Sequence, residues 1–323
     1  MLGAIIGDII GSRWEFNPTN DYDFELLSDK NEFTDDTICT VAVADALMNG
    51  KDFGKSFHEW CRRYPHPMGG YGGRFSEWIR SNDPKPYYSF GNGAAMRVSP
   101  VAYWFENIDE VLDAAAATAM PSHNHPEGIK GAQTVALAIS KALSYQIFKP
   151  LAPFHIDEII HECVEFSGYD INMPKASVLN RFDETCQGTV PVALKIISMA
   201  TSFEDAVRMA VSLGADADTL GAIVGSIAEA IWGIPEKLRR QTEKYLPDEI
   251  NYLIDKFEYG NPILHGPLID TCFAGDVFSD ASWDMLYESD GKEVHDEIMR
   301  EVKMDHERKR KLMAERGKAR ENW

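Results

Sequence analysis

Apolar residues recur at intervals of three and four along most of this chain, which is the spacing of one face of an α-helix. No convincing run alternates between apolar and polar residues, as a half-buried strand would. We therefore predict a mainly helical protein. The predicted helices span residues 2–13, 35–48, 53–64, 94–104, 108–120, 126–146, 157–166, 190–199, 203–213, 218–231 and 236–254.

Small residues mark several of these helices. Gly3, Gly7 and Gly11 are four residues apart and fall on one face of the first predicted helix. That spacing indicates close packing of this helix in a core. A membrane dimer motif is excluded because the apolar stretch is too short to span a bilayer.

The chain has 323 residues and is 44% apolar, enough to build a sizeable core. We expect a single domain over residues 1–291. Residues 292–323 carry ten Lys or Arg and eight Asp or Glu with few apolar residues, which predicts a charged C-terminal helix or tail. The alternative is a partner-binding helix, since Val294, Ile298 and Val302 recur four residues apart. Long irregular segments, where binding residues are often found, are expected at 15–33, 65–73, 81–93, 171–188 and 258–281.

The formal net charge of −19 argues against bulk nucleic-acid binding, which requires a basic surface. Five scattered cysteines form no CxxC pair, so neither a disulfide framework nor a structural zinc site is expected. The apolar N-terminal stretch lacks a basic start and is interrupted by Asp8, and about 18 consecutive apolar residues occur nowhere. We expect a soluble, cytoplasmic protein without a membrane span, and its oligomeric state stays open.

Two acid-rich segments each stand at the start of a predicted helix, about 180 residues apart. They read Thr34-Asp35-Asp36-Thr37 and Asp216-Ala217-Asp218-Thr219. Helix capping and the helix dipole explain one or two of these carboxylates at each start. The alternative is that the two segments meet, together with Glu15, and that a cation relieves their mutual repulsion. Carboxylate and hydroxyl oxygens favour Mg²⁺ or Mn²⁺ over zinc, and there are enough of them for two ions.

Two glycine-rich loops are candidates for a phosphate ligand. Gly91-Asn92-Gly93 runs into a predicted helix followed by Arg97, and the loop at 69–74 precedes another helix. A plain turn into a helix is the alternative for each. His123 lies in SHNHPEG, whose spacing is not that of a zinc site. This histidine is a candidate contact to a sugar or phosphate, or a capping or core residue.

Five motifs in order, GAIIGDIIGSRWE, FTDDT, SFGNGAAMRVSP, SHNHPEGIKGA and GADADTLGAIVGSIAEA, resemble those of the ADP-ribosylglycohydrolases, the dinitrogenase-reductase-activating glycohydrolase-like family. The resemblance covers about residues 1–254 and does not extend to the charged C-terminal segment. It implies a compact all-α fold, a multi-helix orthogonal bundle, with a binuclear Mg²⁺ or Mn²⁺ centre in a cleft.

The resemblance also implies roles for individual residues. The implied metal ligands are Thr34, Asp35, Asp36, Asp216, Asp218 and Thr219, with Glu15 near or on one ion. The implied catalytic acids are Glu15, Asp35, Asp36 and Asp216, and the sequence does not decide which is the general base. The implied contacts to ADP-ribose are Tyr71, Gly72, Gly73, Gly91, Asn92, Gly93, Ala94, Met96 and His123.

These implications define a functional hypothesis. The protein would be a metal-dependent hydrolase that cleaves the glycosidic bond of an ADP-ribosyl group on a protein or small molecule. An alternative is a non-catalytic member of the same fold that binds ADP-ribose or serves structurally. A further alternative, a two-metal phosphohydrolase that cuts the pyrophosphate, would release AMP.

Overall fold

The computed structural model describes residues 1–148, 155–260 and 323. Within these ranges the protein is helical, and isolated bridges join Thr34 to Met68 and Gly91 to Thr185 without forming a sheet. The prediction of an all-α fold is confirmed. The helices are α1 Leu2–Ser12, α2 Asp35–Asn49, α3 Phe53–Arg63, α4 Gly73–Arg80, α5 Gly93–Met96, α6 Ser99–Trp104, α7 Ile108–Ala119, α8 Pro126–Phe148, α9 Ile156–Ser167, α10 Cys186–Met199, α11 Phe203–Val211, α12 Ala217–Trp232, α13 Glu236–Thr242 and α14 Asp248–Gly260, with 3₁₀ turns at Lys175–Ser177 and Glu243–Tyr245.

Helices α1 and α12 pack closely in the centre of the molecule. All eleven residues of α1 are buried. A Cβ at Gly7 would overlap the carbonyl oxygen of Gly221, and a Cβ at Gly11 would overlap that of Ala217. The contacts run in opposite directions along the two helices, so the helices are antiparallel. The end of α1 therefore meets the beginning of α12, which brings the residues after α1 to the second acid-rich segment.

Prolines divide two of the predicted helices. The helix predicted over 94–104 is two helices, α5 and α6, because Pro100 lacks an N–H and its ring would clash with the carbonyl of Met96. The helix predicted over 236–254 is divided into α13 and α14 ahead of Pro247. The residue before that proline has an extended backbone, φ −106° and ψ 138°, as the proline ring requires. Both predictions of one continuous helix were wrong.

Helix α10 begins at Cys186, four residues before the predicted start at 190. Its N-cap is Thr185, whose hydroxyl accepts a hydrogen bond of 3.0 Å from the backbone N–H of Gly188. This start places residues 182–185 beside the Gly91 loop, where Cys186 N donates to the carbonyl of Phe90 at 2.9 Å. The first turn of α10 thus forms part of the wall of the site.

The boundary predicted at residue 291 and the charged segment at 292–322 lie outside the described residues. The division into one domain and a charged tail therefore stays a prediction. Within the described ranges, no helix combines the length and the apolar character that crossing a membrane requires.

Candidate metal and ligand site

The two acid-rich segments meet in one cavity. The starts of α2 and α12 and the residues after α1 line a space of about 290 Å³. Thr219 Oγ1, at the start of α12, donates to Asp36 Oδ2 at 3.2 Å and so joins the two segments directly. Their acidic side chains in the cavity wall are Asp35, Asp36, Asp216 and Asp218, and Glu15 joins them from the segment after α1.

Asp8 holds the first segment in place. It lies in the middle of α1, is fully buried, and accepts hydrogen bonds from Thr34 Oγ1 at 2.8 Å and Thr34 N at 3.0 Å. It also accepts from Thr37 N at 3.0 Å and from the Thr37 hydroxyl. Burial raises the pKa of Asp8 to about 6, although these hydrogen bonds act in the opposite direction. From the sequence, Asp8 was interpreted only as an interruption of an apolar stretch. An acidic residue inside an otherwise apolar helix was the feature that could have indicated this structural role.

Asn92 holds the second segment. Its Nδ2 donates to Asp216 Oδ2 at 2.7 Å and to Thr189 Oγ1 at 3.1 Å. Thr189 in turn donates to the carbonyl of Asp183 at 2.9 Å. The amide of Asn92 therefore orients a carboxylate, and Asn92 also lines the cavity, so the contact to ADP-ribose implied by the resemblance stays a prediction.

Glu15 reaches the cavity across the loop that precedes α4. A Cβ at Gly69 would overlap Glu15 Oε2, and the φ of +74° at Gly69 also favours glycine. Carboxylate oxygens of Glu15, Asp216 and Asp218 lie within 4.8 Å of one another, a grouping that could hold a metal ion.

Several buried carboxylate oxygens in the cavity have no hydrogen-bond donor within the described part of the chain to compensate the loss of water. Glu15 Oε2, Asp36 Oδ1 and Asp218 Oδ1 have no hydrogen-bond partner among the described residues. Burial, with added repulsion from Asp218, raises the pKa of Glu15 to about 8, and burial raises that of Asp216 to about 7. The pKa values of Asp35, Asp36 and Asp218 lie well above the ordinary value for the same reasons. These oxygens fit a hard divalent cation, which would supply the missing positive charge.

The Gly91–Gly93 loop packs against the imidazole of His123. A Cβ would stand 3.1 Å from His123 Nε2 at Gly93 and 3.3 Å from it at Gly91, so side chains there would crowd the ring. Both glycines, Met96 and His123 line the acidic cavity. The loop and the histidine therefore form one continuous part of the cavity wall.

Of the other residues implied by the resemblance, two line the cavity and two do not. Gly72 and Gly73 line the cavity. Tyr71 lies outside its lining, and the Tyr71 hydroxyl donates to the carbonyl of Tyr64 at 2.7 Å, which ties the loop to the end of α3. Ala94 is fully buried behind the loop.

Lining residues that were not singled out from the sequence include Phe75, Tyr87, Phe182 and Glu184. Phe182 and Glu184 belong to the irregular segment at 171–188 and face the cavity. The charge of Glu184 contributes to the raised pKa values of Glu15 and Asp216, so its carboxylate lies near both. Only the length of this loop could have pointed to them.

A larger cavity of about 580 Å³ shares only Asp216 with the acidic cavity. Its described lining includes none of the buried, unpaired side-chain atoms that occur around the smaller one. Since unpaired buried polar atoms indicate a missing partner, the acidic cavity is the candidate site.

Comparison with known proteins gives the same family as the motifs. Residues 1–263 match the family model described as ADP-ribosylglycohydrolase. Because the match covers most of the chain, this protein belongs to that family.

The following relatives are distant in sequence. The chain is 24% identical to human ADP-ribosylhydrolase ARH3 over 77% of this chain and 90% of that protein. It is also 24% identical to ADP-ribosylarginine hydrolase Tri1 of Pseudomonas putida (strain GB-1), over 72% of this chain and 70% of that protein. A solved structure entitled ADP-ribosylglycohydrolase-related protein complex superposes with a TM-score of 0.57 at 23% identity, covering 76% of this chain and 93% of that one. The superposition supports the fold.

Proposed function

We propose that this protein is a divalent-metal-dependent hydrolase that cleaves the glycosidic bond at ribose C1″ of an ADP-ribosyl group. The observation that carries the proposal is the set of buried, unpaired carboxylate oxygens contributed to one cavity by both acid-rich segments. Membership in the ADP-ribosylglycohydrolase family supports the same reaction.

Two Mg²⁺ or Mn²⁺ ions would be held by side chains from the two helix starts. When bound, such ions act as Lewis acids, orient substrate hydroxyls and lower the pKa of bound water. Their ligands in this proposal are Thr34, Asp35, Asp36, Asp216, Asp218 and Thr219, with Glu15 beside them.

The chain's own groups orient the reacting atoms. Asp8 and Asn92 fix the two acid-rich segments through the hydrogen bonds described above. The Asp35 carboxylate accepts no hydrogen bond from the described residues and is free to contact ligand or water. The general base is Asp35, Asp36 or Asp216, and the carboxylates together stabilise the positive charge that develops at C1″.

The part of the cavity wall formed by the Gly91–Gly93 loop and His123 would bind the phosphates of ADP-ribose. The absence of side chains at Gly91 and Gly93 lets a ligand approach the backbone closely, and His123 Nε2 faces the same space.

A separate question is which acceptor group is linked to C1″ of the ADP-ribosyl group. One relative is named as an ADP-ribosylarginine hydrolase, and its acceptor is an arginine. Peptides ADP-ribosylated on arginine or on serine, and ADP-ribosylated nucleic acid, would be assayed with Mg²⁺, with Mn²⁺ and with a chelator. We expect metal-dependent release of ADP-ribose from at least one substrate. Release of AMP would show pyrophosphate cleavage, and binding of ADP-ribose without turnover would show a non-catalytic protein.

Two substitutions test the carboxylates directly. Asp218→Asn and Asp216→Asn should abolish ADP-ribose release while circular dichroism stays that of the wild type. Asp45→Asn is the matched control, because Asp45 lies on α2 outside the cavity and binds Lys51 at 2.9 Å and Trp60 at 2.9 Å. Wild-type turnover in both cavity variants at saturating metal would refute the proposed site.

A further inference from the structure

Arg97 is a buried cation without a carboxylate partner among the described residues. It is fully buried, lines the acidic cavity, and its guanidinium lies 4.1 Å from the centre of the Phe57 ring. Its Nη2 donates to the carbonyl of Thr118 at 2.8 Å and to Ser122 Oγ at 3.0 Å. Within the described ranges, Nε and Nη1 have no hydrogen-bond partner. Burying a charge without a charged partner costs free energy, so this guanidinium requires a functional role or a bound ligand that compensates its charge.

Ser122 connects this cation to His123. The hydroxyl of Ser122 is buried, and its two hydrogen-bond contacts in the described chain are Arg97 Nη2 and His123 Nδ1, at 2.7 Å. Arginine can only donate, so Ser122 Oγ accepts from Arg97. The hydroxyl proton then has one available acceptor, His123 Nδ1, and leaving that proton unpaired in a buried site would be costly.

His123 is thereby left with its proton on Nε2. This nitrogen faces the Gly91–Gly93 loop and has no protein partner in the described part of the chain. Burial and the nearby charge of Arg97 keep the pKa of His123 well below its ordinary range, so the ring is neutral near pH 7. Phe75 and Tyr87 lie 6.3 Å and 6.1 Å from the imidazole, between ring centres, and limit its rotation.

We propose that Arg97 and Ser122 are positioning residues that fix His123 as the Nε2–H tautomer and so dedicate it to donating a hydrogen bond to an anionic oxygen of the ligand. The identification of that oxygen as a phosphate oxygen of ADP-ribose rests on the proposed function. The arrangement favours an anion because the neutral donor is linked through Ser122 to a buried guanidinium, and the guanidinium and the imidazole line the same cavity.

The tautomer can be measured without any ligand. A long-range ¹H–¹⁵N spectrum of the ligand-free protein between pH 6 and 8, with His123 assigned from its loss in His123→Phe, should show a protonated Nε2 and an unprotonated Nδ1. In Arg97→Met, the Nδ1–H form or the doubly protonated ring should become visible in the same range. A wild-type proton on Nδ1 would overturn the proposal.

A double-mutant cycle tests whether Ser122 acts through His123. By calorimetry, His123→Phe should weaken ADP-ribose binding about tenfold to a hundredfold, as the loss of a hydrogen bond to a charged group does. Ser122→Ala should weaken it by about threefold to tenfold alone and by nothing further when combined with His123→Phe. Ser56→Ala is the control, because that buried hydroxyl donates only to the carbonyl of Ala42 at 2.7 Å. Additive losses in the double variant would show a general packing effect and refute the positioning role.

The two proposals fail in different ways. If the wild-type protein has the Nε2–H tautomer but does not bind ADP-ribose, the proposed function and the identity of the anion are wrong. If it binds and hydrolyses ADP-ribosyl substrates but His123 carries its proton on Nδ1, the proposed function stands and the positioning role is refuted.

Discussion

Replacing Asp216 by asparagine should make the metal-free protein more stable at neutral and alkaline pH while it removes activity. The folded protein holds a proton on Asp216 more tightly than the unfolded chain, because burial raises the pKa from 3.8 to about 7. Ionising this carboxyl therefore lowers the free energy of unfolding as the pH rises from about 4 to about 7. An asparagine cannot ionise, and its carbonyl oxygen can still accept the hydrogen bond from Asn92.

The size of the effect follows from the same shift. At about 1.36 kcal/mol for each pKa unit, ionised Asp216 costs the metal-free folded state about 4 kcal/mol above pH 7. We expect the variant to recover about 1–3 kcal/mol of this, because Glu15 and Asp218 remain and still repel each other within the cavity. The gain should be absent below pH 4, grow between pH 4 and 7, and be complete above pH 7.

Urea denaturation in a chelating buffer at pH 4.5 and pH 8 measures this difference, and repeating it with saturating Mg²⁺ should reverse the order of stability. Asp205→Asn is the matched control, since Asp205 is also buried but accepts hydrogen bonds from Thr201 N, Thr201 Oγ1 and the Tyr22 hydroxyl. That variant should be less stable than the wild type at both pH values. Equal destabilisation of Asp216→Asn at both pH values would refute the view that the cavity stores uncompensated charge.

Three further predictions follow from the packing and from the site. Gly7→Ala should lower the free energy of unfolding by about 1–3 kcal/mol, because the new Cβ would overlap the carbonyl oxygen of Gly221. Gly73→Ala, which meets open space in the first turn of α4, should leave it unchanged or raise it by up to about 1 kcal/mol. Chemical denaturation compares the two variants, and equal destabilisation would contradict the packing argument. Asp8→Asn should weaken metal binding by about tenfold to a hundredfold, because it removes hydrogen bonds that order the first acid-rich segment. Calorimetry with Mn²⁺ measures the affinity, and an unchanged value would show that Asp8 does not position the ligands. Metal removal should lower the melting temperature more at pH 8 than at pH 6. The reason is that protons compete with the metal for Glu15, whose pKa is raised to about 8, so the metal binds less tightly at the lower pH. A stabilising effect of metal that grew as the pH fell would contradict this prediction.

Local features of the sequence predicted much of the helical structure. Helix periods, N-caps such as Thr34 and the spacing of the α1 glycines depend on residues three or four apart, so they can be recognised without a structure. The predictions of continuous helices over 94–104 and 236–254 failed because the helix-breaking effect of Pro100 and Pro247 was not taken into account. Ordered motifs also identified the family, which its family model confirms.

Tertiary structure decided how the site is assembled. The acid-rich segments are about 180 residues apart in sequence, and they meet because glycines let α1 and α12 pack backbone to backbone. The burial of Asp8, the hydrogen bond from Asn92 to Asp216 and the contact of Ser122 with Arg97 all depend on neighbours from other parts of the chain. The sequence by itself determined which groups can carry charge and which segments form helices. Their pKa values, hydrogen-bond partners and common cavity were decided only by packing, because these properties depend on what surrounds each group in the folded protein.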